Sequence, residues 1–271
     1  MKEALKKLYI FTGKGGVGKT SCAQSFCHHL QEQKRQSVYL TFDEESTKTD
    51  FSQEALISHI NFELWECVEQ YLEQKFSSKI ISSLIMKTPF FRALIKMVPG
   101  FRYVIYMGRL IHLLKSSNKT TFVLDSPSSG HLVTMFESVF LFKNIFGDGA
   151  LAKDLSESLD YWMNEKPYQV CIISLAKQSV LQESFELKQI LEDKFEMTSK
   201  VFLNSSLPLT LKNIKNKELP EFLMKKRESE LDASNKFMNQ LSGQIPFEPT
   251  LEYMRLAKKL APYSAQFSSD S

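Results

Sequence analysis

The stretch Gly13-Lys14-Gly15-Gly16-Val17-Gly18-Lys19-Thr20 decides the fold. It follows a short apolar run, Leu8 to Phe11, that predicts a buried strand, and it leads into a helical pattern that continues to about Gln33. A glycine-rich loop between a strand and a helix lets backbone N–H groups and the helix N-terminus surround an anion. The stretch fits G-x-x-x-x-G-K-[ST] in full, which predicts a site for nucleotide phosphates.

Two side chains in this loop have the chemistry that a magnesium–nucleotide complex needs. The Lys19 amine is predicted to reach the β- and γ-phosphates, and the Thr20 hydroxyl is predicted to bind Mg²⁺. We expect the rest of the loop and the residue after it to line the phosphates, namely Gly13, Lys14, Gly15, Gly16, Val17, Gly18 and Ser21.

Composition excludes several classes of protein. The 271 residues carry 34 basic and 31 acidic side chains, a net charge of +3 that does not favour binding to nucleic acid. The four cysteines form no C-x-x-C pair, so neither a disulfide framework nor a zinc ribbon is indicated. Since no uncharged apolar stretch is long enough to span a membrane, and the glycine loop comes too early for a signal peptide, we expect a cytoplasmic protein without a transmembrane segment.

Strands that alternate with helices predict an α/β fold, a doubly wound and mostly parallel sheet of the P-loop NTPase type. The predicted strands after the first are 37–42, 120–124, 170–174 and 200–203, with a last short strand or turn at 244–247. A charged helical segment is predicted at 212–241 and a closing helix at 251–260. The tail from Ser264 to Ser271 is expected to be frayed.

One long segment interrupts this alternation. From Phe51 to about Leu114 the apolar residues recur at helical spacing, and no strand is predicted. We therefore predict a P-loop core at 1–50 and 119–271, with a helical subdomain inserted at 51–118. Residues 76–114 hold more apolar side chains than an amphipathic helix pair needs to bury against one core.

Polar residues follow three of the predicted strands. Asp125 lies at a strand end beside the glycine loop, where a carboxylate can hold the Mg²⁺ shell. Asp43 follows the second strand and is the best candidate for polarising an attacking water. Asn204 follows a later strand, and its amide can both donate to and accept from the edge of an adenine.

The order of these motifs resembles a known family. K-G-G-V-G-K-T, from Lys14, resembles the deviant P-loop class of nitrogenase iron protein and of septum-site and chromosome-partition ATPases. The string from Asp125 to His131 resembles the D-T-A-P-T-G-H-T switch of the arsenical-pump and tail-anchored-protein-targeting ATPases, with serines in place of its threonines. The chain is accordingly identified as a single-half member of that family.

The resemblance implies the cofactors and the mechanism. It implies binding and hydrolysis of ATP with Mg²⁺ by a homodimer, in which Lys14 reaches across to the partner's nucleotide. Asp43 aligns with the family's water-orienting aspartate, although Glu44-Glu45-Ser46 replace the usual Pro-Ala-His. Pro246 and Phe247 lie in a segment similar to the family's L-P-x-x-P-x-E loop, and with Asn204 they are predicted to form the base pocket.

The partner and two alternative functions stay open. The apolar helical subdomain suits a protein partner or a hydrophobic client. The alternatives are a positioning ATPase of the partition or septum type, which would use the helix near Arg255, Lys258 and Lys259 on a surface, and a nucleotide-bound scaffold with little turnover. Arsenite activation is disfavoured, because Cys67 and Cys171 are interpreted as buried apolar residues.

Overall fold

The computed structural model describes residues 5–42, 51, 54–98, 100–145, 150–215, 218–250 and 252–269. Within these residues seven strands form one sheet, and every strand pair is parallel. The strands are β1 (Leu8–Thr12), β2 (Ser37–Phe42), β3 (Ile57–Phe62), β4 (Thr121–Asp125), β5 (Tyr168–Ser174), β6 (Ser199–Ser206) and β7 (Gly243–Pro246). Their order, β3-β2-β4-β1-β5-β6-β7, confirms the doubly wound parallel fold that the sequence predicts.

Helices connect the strands and cover the sheet. They are α1 (Lys19–Glu32), α2 (Leu64–Phe76), α3 (Lys79–Lys87), α4 (Pro89–Met97), α5 (Phe101–Ser116), α6 (Ser129–Ile145), α7 (Ala150–Glu165), α8 (Gln178–Phe195), α9 (Leu207–Thr210), α10 (Glu221–Asn235) and α11 (Tyr253–Leu260). Helix α7 lies outside the predicted elements, and the charged segment predicted at 212–241 contains α10, which begins at Glu221. Pro220 is the N-cap of that helix.

The central strand β1 is buried on both faces of the sheet. Leu8 and Ile10 pack into one apolar cluster together with residues of α5 and α6, while Tyr9 and Phe11 pack into a second cluster with α1. Because all five residues of β1 are buried, the strand holds the loop that follows it in a fixed position at the carboxyl edge of the sheet.

The sheet has one strand that the sequence did not predict. Residues 57–62 form β3, which pairs with β2 at the edge, so the expectation of no strand between Phe51 and Leu114 is wrong. Polar side chains add contacts to this pairing, since the Thr41 hydroxyl lies 2.8 Å from His59 Nε2 and 3.0 Å from Asn61 Oδ1. Helices therefore begin only at Leu64, and the division of the chain at 51 and 118 stays a prediction.

The C-terminal segment also differs from the expectation. A 3₁₀ helix at Ala261–Phe267 packs on the core instead of fraying. Phe267 is fully buried, with its ring centroid 4.9 Å from that of Phe11 and 4.7 Å from that of Phe202. Burying one large aromatic side chain contributes about 2–3 kcal/mol toward the ordering of this tail.

The apolar residues of α5 lie mostly in the core, whereas many of those in α2 to α4 lie at the surface. Residues of α5 such as Val104, Leu110 and Leu114 are buried in the same cluster as β1. In contrast, several large side chains of α2, α3 and α4 are exposed: Phe76, Ile80, Ile81, Leu84, Phe90 and Met97. We call these six residues the α3–α4 surface.

Candidate nucleotide site

The glycine loop has a backbone that only glycine adopts without strain at two decisive positions. Gly13 has φ 139°, and a Cβ there would lie 2.3 Å from the Ile173 carbonyl oxygen. Gly18 has φ 90°, and a Cβ there would lie 2.2 Å from Asn204 Nδ2. The start of the loop therefore lies against β5, and its end lies against β6. A side chain at Gly13 or Gly18 would clash with these strands, so both positions require glycine.

The loop ends at a helix start that can bind an anion. Gly18 is the N-cap of α1 and makes no side-chain capping hydrogen bond. The first N–H groups of α1 are therefore free of a capping side chain and can donate to phosphate. Lys19 lies at this end of the helix, with its amine 3.3 Å from the Lys14 carbonyl oxygen, so its charge is held at the loop.

The predicted metal residues meet directly. The Thr20 hydroxyl donates to Asp125 Oδ2 across 2.7 Å, and the Tyr39 hydroxyl donates to the same oxygen across 2.8 Å. Burial raises the pKa of Asp125, while the hydrogen bonds from Thr20 and Tyr39 and the charge of Lys19 act in the opposite direction. An oxygen-only pair beside a phosphate loop fits Mg²⁺, which binds through carboxylates together with substrate phosphates.

Two predicted catalytic residues remain, Lys14 and Asp43, and only Lys14 lies among the described residues. Lys14 turns to its own subunit, where its amine forms an ion pair of 2.7 Å with Glu183 on α8. Asp43 lies outside the described residues, which resume at 51. Its predicted role therefore stays a prediction that rests on the resemblance.

The predicted base-pocket residues line one pocket of about 420 Å³ beside the loop. Asn204 and Pro246 are buried in its wall, Phe247 is 39% exposed at its rim, and Gly16 and Gly18 close its other side. Asn204 Nδ2 donates to the Val17 carbonyl oxygen across 2.8 Å. The amide therefore holds the loop with its donor and keeps its oxygen for another partner.

Strand β6 is distorted where it meets this pocket. Its register with β7 shifts between Leu203 and Ser206, and Ser205 has a left-handed φ of 54°. Bulges of this kind re-aim side chains and are over-represented beside functional sites. At this distortion the consecutive residues Asn204 and Ser205 both line the pocket.

Sequence reasoning missed four further residues at the site. Tyr39 hydrogen-bonds the predicted metal carboxylate, Glu183 pairs with Lys14, and Lys226 and Glu230 of α10 line the base pocket. A tyrosine inside an apolar strand was the one available signal, because a buried hydroxyl needs a hydrogen-bond partner. The other groups are placed by helix packing, for which the sequence offers no local pattern.

The switch segment after β4 contacts both the loop and the helices. The Ser129 N–H donates to the Gly13 carbonyl oxygen across 3.1 Å. Within the first turn of α6, His131 Nδ1 lies 3.0 Å from the Tyr103 hydroxyl on α5. The first turn of α6 is thus bonded to the phosphate loop on one side and to the helical segment on the other.

Other kinds of site are not supported within the described part of the chain. No group of three or more His, Cys, Asp or Glu side chains there could hold a metal ion. All four cysteines are buried free thiols, as interpreted for Cys67 and Cys171, and burial raises the pKa of Cys171. None of the described helices is long and apolar enough to cross a bilayer.

Comparison with known proteins agrees with this geometry. The family model described as anion-transporting ATPase matches residues 6–210, which include the glycine loop, Asp125, Asn204 and all strands except β7. No curated protein matches the chain.

Proposed function

Because the chain belongs to the anion-transporting ATPase family, we propose that it is a cytoplasmic ATPase that works as a homodimeric switch, coupling its nucleotide state to a helical client-binding surface. The observation that carries this proposal is the meeting of Thr20 with Asp125 at the base of a complete phosphate loop. With ATP bound, Mg²⁺ would be held by Thr20 and Asp125 and would neutralise charge on the phosphates. Lys19 would act on the same phosphates from the start of α1.

The base of the nucleotide would enter the pocket beside the loop. Asn204 would bind its edge, with Pro246 and Phe247 as the apolar contacts. The Asn204 amide supports this role, since one of its groups already fixes the loop and the other is available to a ligand. The same side chain would then link the base to the phosphate loop.

Hydrolysis would use Asp43 to orient the attacking water. Its position directly after β2 supports this, because β2 and β4 pair with Thr41 beside Asp125. Asp43→Asn should slow single-turnover phosphate release by about 10²-fold or more, the lower bound for a positioned acid–base group, while ATP affinity changes little. Isothermal titration of ATP and quenched-flow phosphate release measure the two quantities separately. Unchanged turnover would remove Asp43 from the mechanism and make Glu44 and Glu45 the next residues to test.

The same assay separates the switch from a scaffold. A wild-type protein that binds ATP but releases no phosphate, alone or as a dimer, would favour the nucleotide-bound scaffold. The proposal requires measurable turnover, and it requires that turnover to fall in Asp43→Asn.

Dimer formation would require Lys14 to leave its pair with Glu183. That pair is 2.7 Å long, but both side chains are about half exposed, at 50% and 40%. An exposed ion pair of this kind contributes only about 0.2–1 kcal/mol. Contact between Lys14 and the partner's phosphates, where charge is concentrated, can offset this cost.

The nucleotide state would reach the helices through the start of α6. The Ser129 to Gly13 bond ties this turn to the phosphate loop, and the pair of His131 with Tyr103 ties it to α5. Helices α5 and α6 also lie close together at Gly100, the N-cap of α5, because a Cβ there would lie 2.3 Å from Ser138 Oγ on α6. A shift of α6 on ATP binding or release would therefore displace α5 and the helices that precede it.

The α3–α4 surface is the proposed client site. Ile80, Phe90 and Met97 are each at least 75% exposed, an unusual exposure for such large apolar side chains. A protein partner or a hydrophobic client that covered them would gain apolar burial. The helical subdomain, proposed at 51–118, would present this surface in one nucleotide state more than in the other.

The alternative of a positioning ATPase that uses α11 on a surface finds less support. The apolar residues Ala257 and Leu260 are buried in the protein. Two of the basic side chains are engaged in ion pairs, Lys258 with Glu54 at 2.7 Å and Lys259 with Glu248 at 3.0 Å. An interfacial helix needs an apolar face free to enter the headgroup region, and in α11 this face is packed inward.

A further inference from the structure

Tyr39 is a buried tyrosine whose hydroxyl points at a charged group. It lies in the middle of β2, is 1% exposed and packs its ring against Phe51, with centroids 5.4 Å apart. Its hydroxyl donates to Asp125 Oδ2 across 2.8 Å. The hydroxyl is therefore held at the end of β4.

The hydrogen bonds divide the Asp125 carboxylate into two unequal oxygens. Oδ2 accepts from both Thr20 and Tyr39, so it already has two donors. A carboxylate offers about four lone-pair sites over its two oxygens. The two donors fix the rotation of the carboxylate and leave its other oxygen, Oδ1, with acceptor capacity.

We propose that Tyr39 is a positioning residue for the metal site, whose hydroxyl holds the Asp125 carboxylate in the orientation that serves Mg²⁺. The inference rests on the proposed function, because it needs Thr20 and Asp125 to hold the ion. Partners that hydrogen-bond a ligating group orient it, and their loss typically weakens metal affinity by about 10- to 100-fold. Tyr39 itself would touch neither the ion nor the nucleotide.

The alternative is that Tyr39 only fills the core. Tyr39→Ala would remove the packing of the ring and the hydrogen bond of the hydroxyl together. The informative variant is therefore Tyr39→Phe, which keeps the ring and its contact with Phe51 and removes only the hydroxyl oxygen. The matched control is Tyr168→Phe on β5. Its hydroxyl is also buried but has no hydrogen-bond partner among the residues that the structure describes, and it lies at the opposite end of its strand from the site.

The test is nucleotide binding titrated with Mg²⁺, followed with a fluorescent ATP analogue, together with binding of the same analogue in EDTA. In Tyr39→Phe we expect the Mg²⁺ concentration for half-maximal enhancement of binding to rise by about tenfold or more, with affinity in EDTA within about twofold of wild type. Tyr168→Phe should match wild type in both measurements.

Three results would count against the proposal, and they differ from one another. An unchanged Mg²⁺ dependence in Tyr39→Phe would overturn it directly. A parallel loss of affinity with Mg²⁺ and in EDTA would assign Tyr39 to the core alone. A wild-type protein that bound the analogue under neither condition would instead overturn the proposed function itself, and this inference with it.

Discussion

Lys19→Ala is expected to abolish measurable binding of Mg-ATP while leaving the protein folded. The Lys19 amine lies at the start of α1, 3.3 Å from the Lys14 carbonyl oxygen, so its positive charge is held at the loop predicted to bind the phosphates. A hydrogen bond to a charged group is worth about 1.5–3 kcal/mol, so losing two such bonds lowers affinity by about 10²- to 10⁴-fold. Isothermal titration with ATP and Mg²⁺ measures this loss.

The control for Lys19→Ala is Lys194→Ala. Lys194 lies on α8 and forms an exposed ion pair of 2.9 Å with Glu137, so its removal also deletes one charge but leaves the loop untouched. It should bind ATP as wild type does. A Lys19→Ala protein with a normal circular dichroism spectrum and undiminished ATP affinity would contradict the site described here.

Gly18→Ala is expected to damage both the site and the fold. The new Cβ would meet Asn204 Nδ2 at 2.2 Å in a backbone with φ 90°, so the Asn204 to Val17 hydrogen bond could not survive unchanged. A left-handed conformation costs a residue with a side chain about 1–2 kcal/mol, and a lost hydrogen bond about 1 kcal/mol more. We expect a fall of about 2–3 kcal/mol in the free energy of unfolding, with at least tenfold weaker ATP binding.

Gly15→Ala serves as the matched control in the same loop. A Cβ at Gly15 meets nothing within 4 Å, and the residue has no left-handed φ. Its urea unfolding curve should stay close to that of wild type, because the added Cβ strains neither the backbone nor the packing. Equal effects of the two alanines would mean that the contact between the loop and Asn204 does not hold the site together.

The central part of the fold could be predicted because its signals are local. The run from Leu8 to Phe11 is buried on both faces, and the glycine loop follows it without interruption, so strand, loop and helix are encoded within about 25 residues of sequence. The positions of Asp125 and Asn204 were equally predictable, since each comes directly after an apolar run and lies toward the carboxyl end of its strand, at the edge of the sheet that carries the loop.

The features that were missed depend on contacts between distant segments. Strand β3 is polar at His59 and Asn61, and it pairs along its whole length with β2, where the Thr41 hydroxyl contacts both side chains. The tail is ordered by Phe267, which finds its partners on β1 and β6. No window of sequence that holds only one of the partners can reveal such contacts.

Lys14 shows the same limit at the site. The motif predicts a lysine that reaches across an interface, whereas the single subunit pairs it with Glu183, far along the chain on α8. The two arrangements are compatible only if ATP and a second subunit compete successfully for the lysine. The homodimeric switch therefore depends on what Lys14 does when ATP is present.

Light scattering of the protein with a non-hydrolysable ATP analogue and Mg²⁺, compared between wild type and Lys14→Ala, tests this claim most directly. The account predicts that wild type doubles its mass with the analogue and stays monomeric without nucleotide, because a lysine from each subunit would neutralise the partner's phosphates. Lys14→Ala should keep most of its affinity for the analogue but remain monomeric, and it should lose ATP turnover. A wild type that stays monomeric with saturating analogue, or a Lys14→Ala protein that dimerises equally well, would contradict the account.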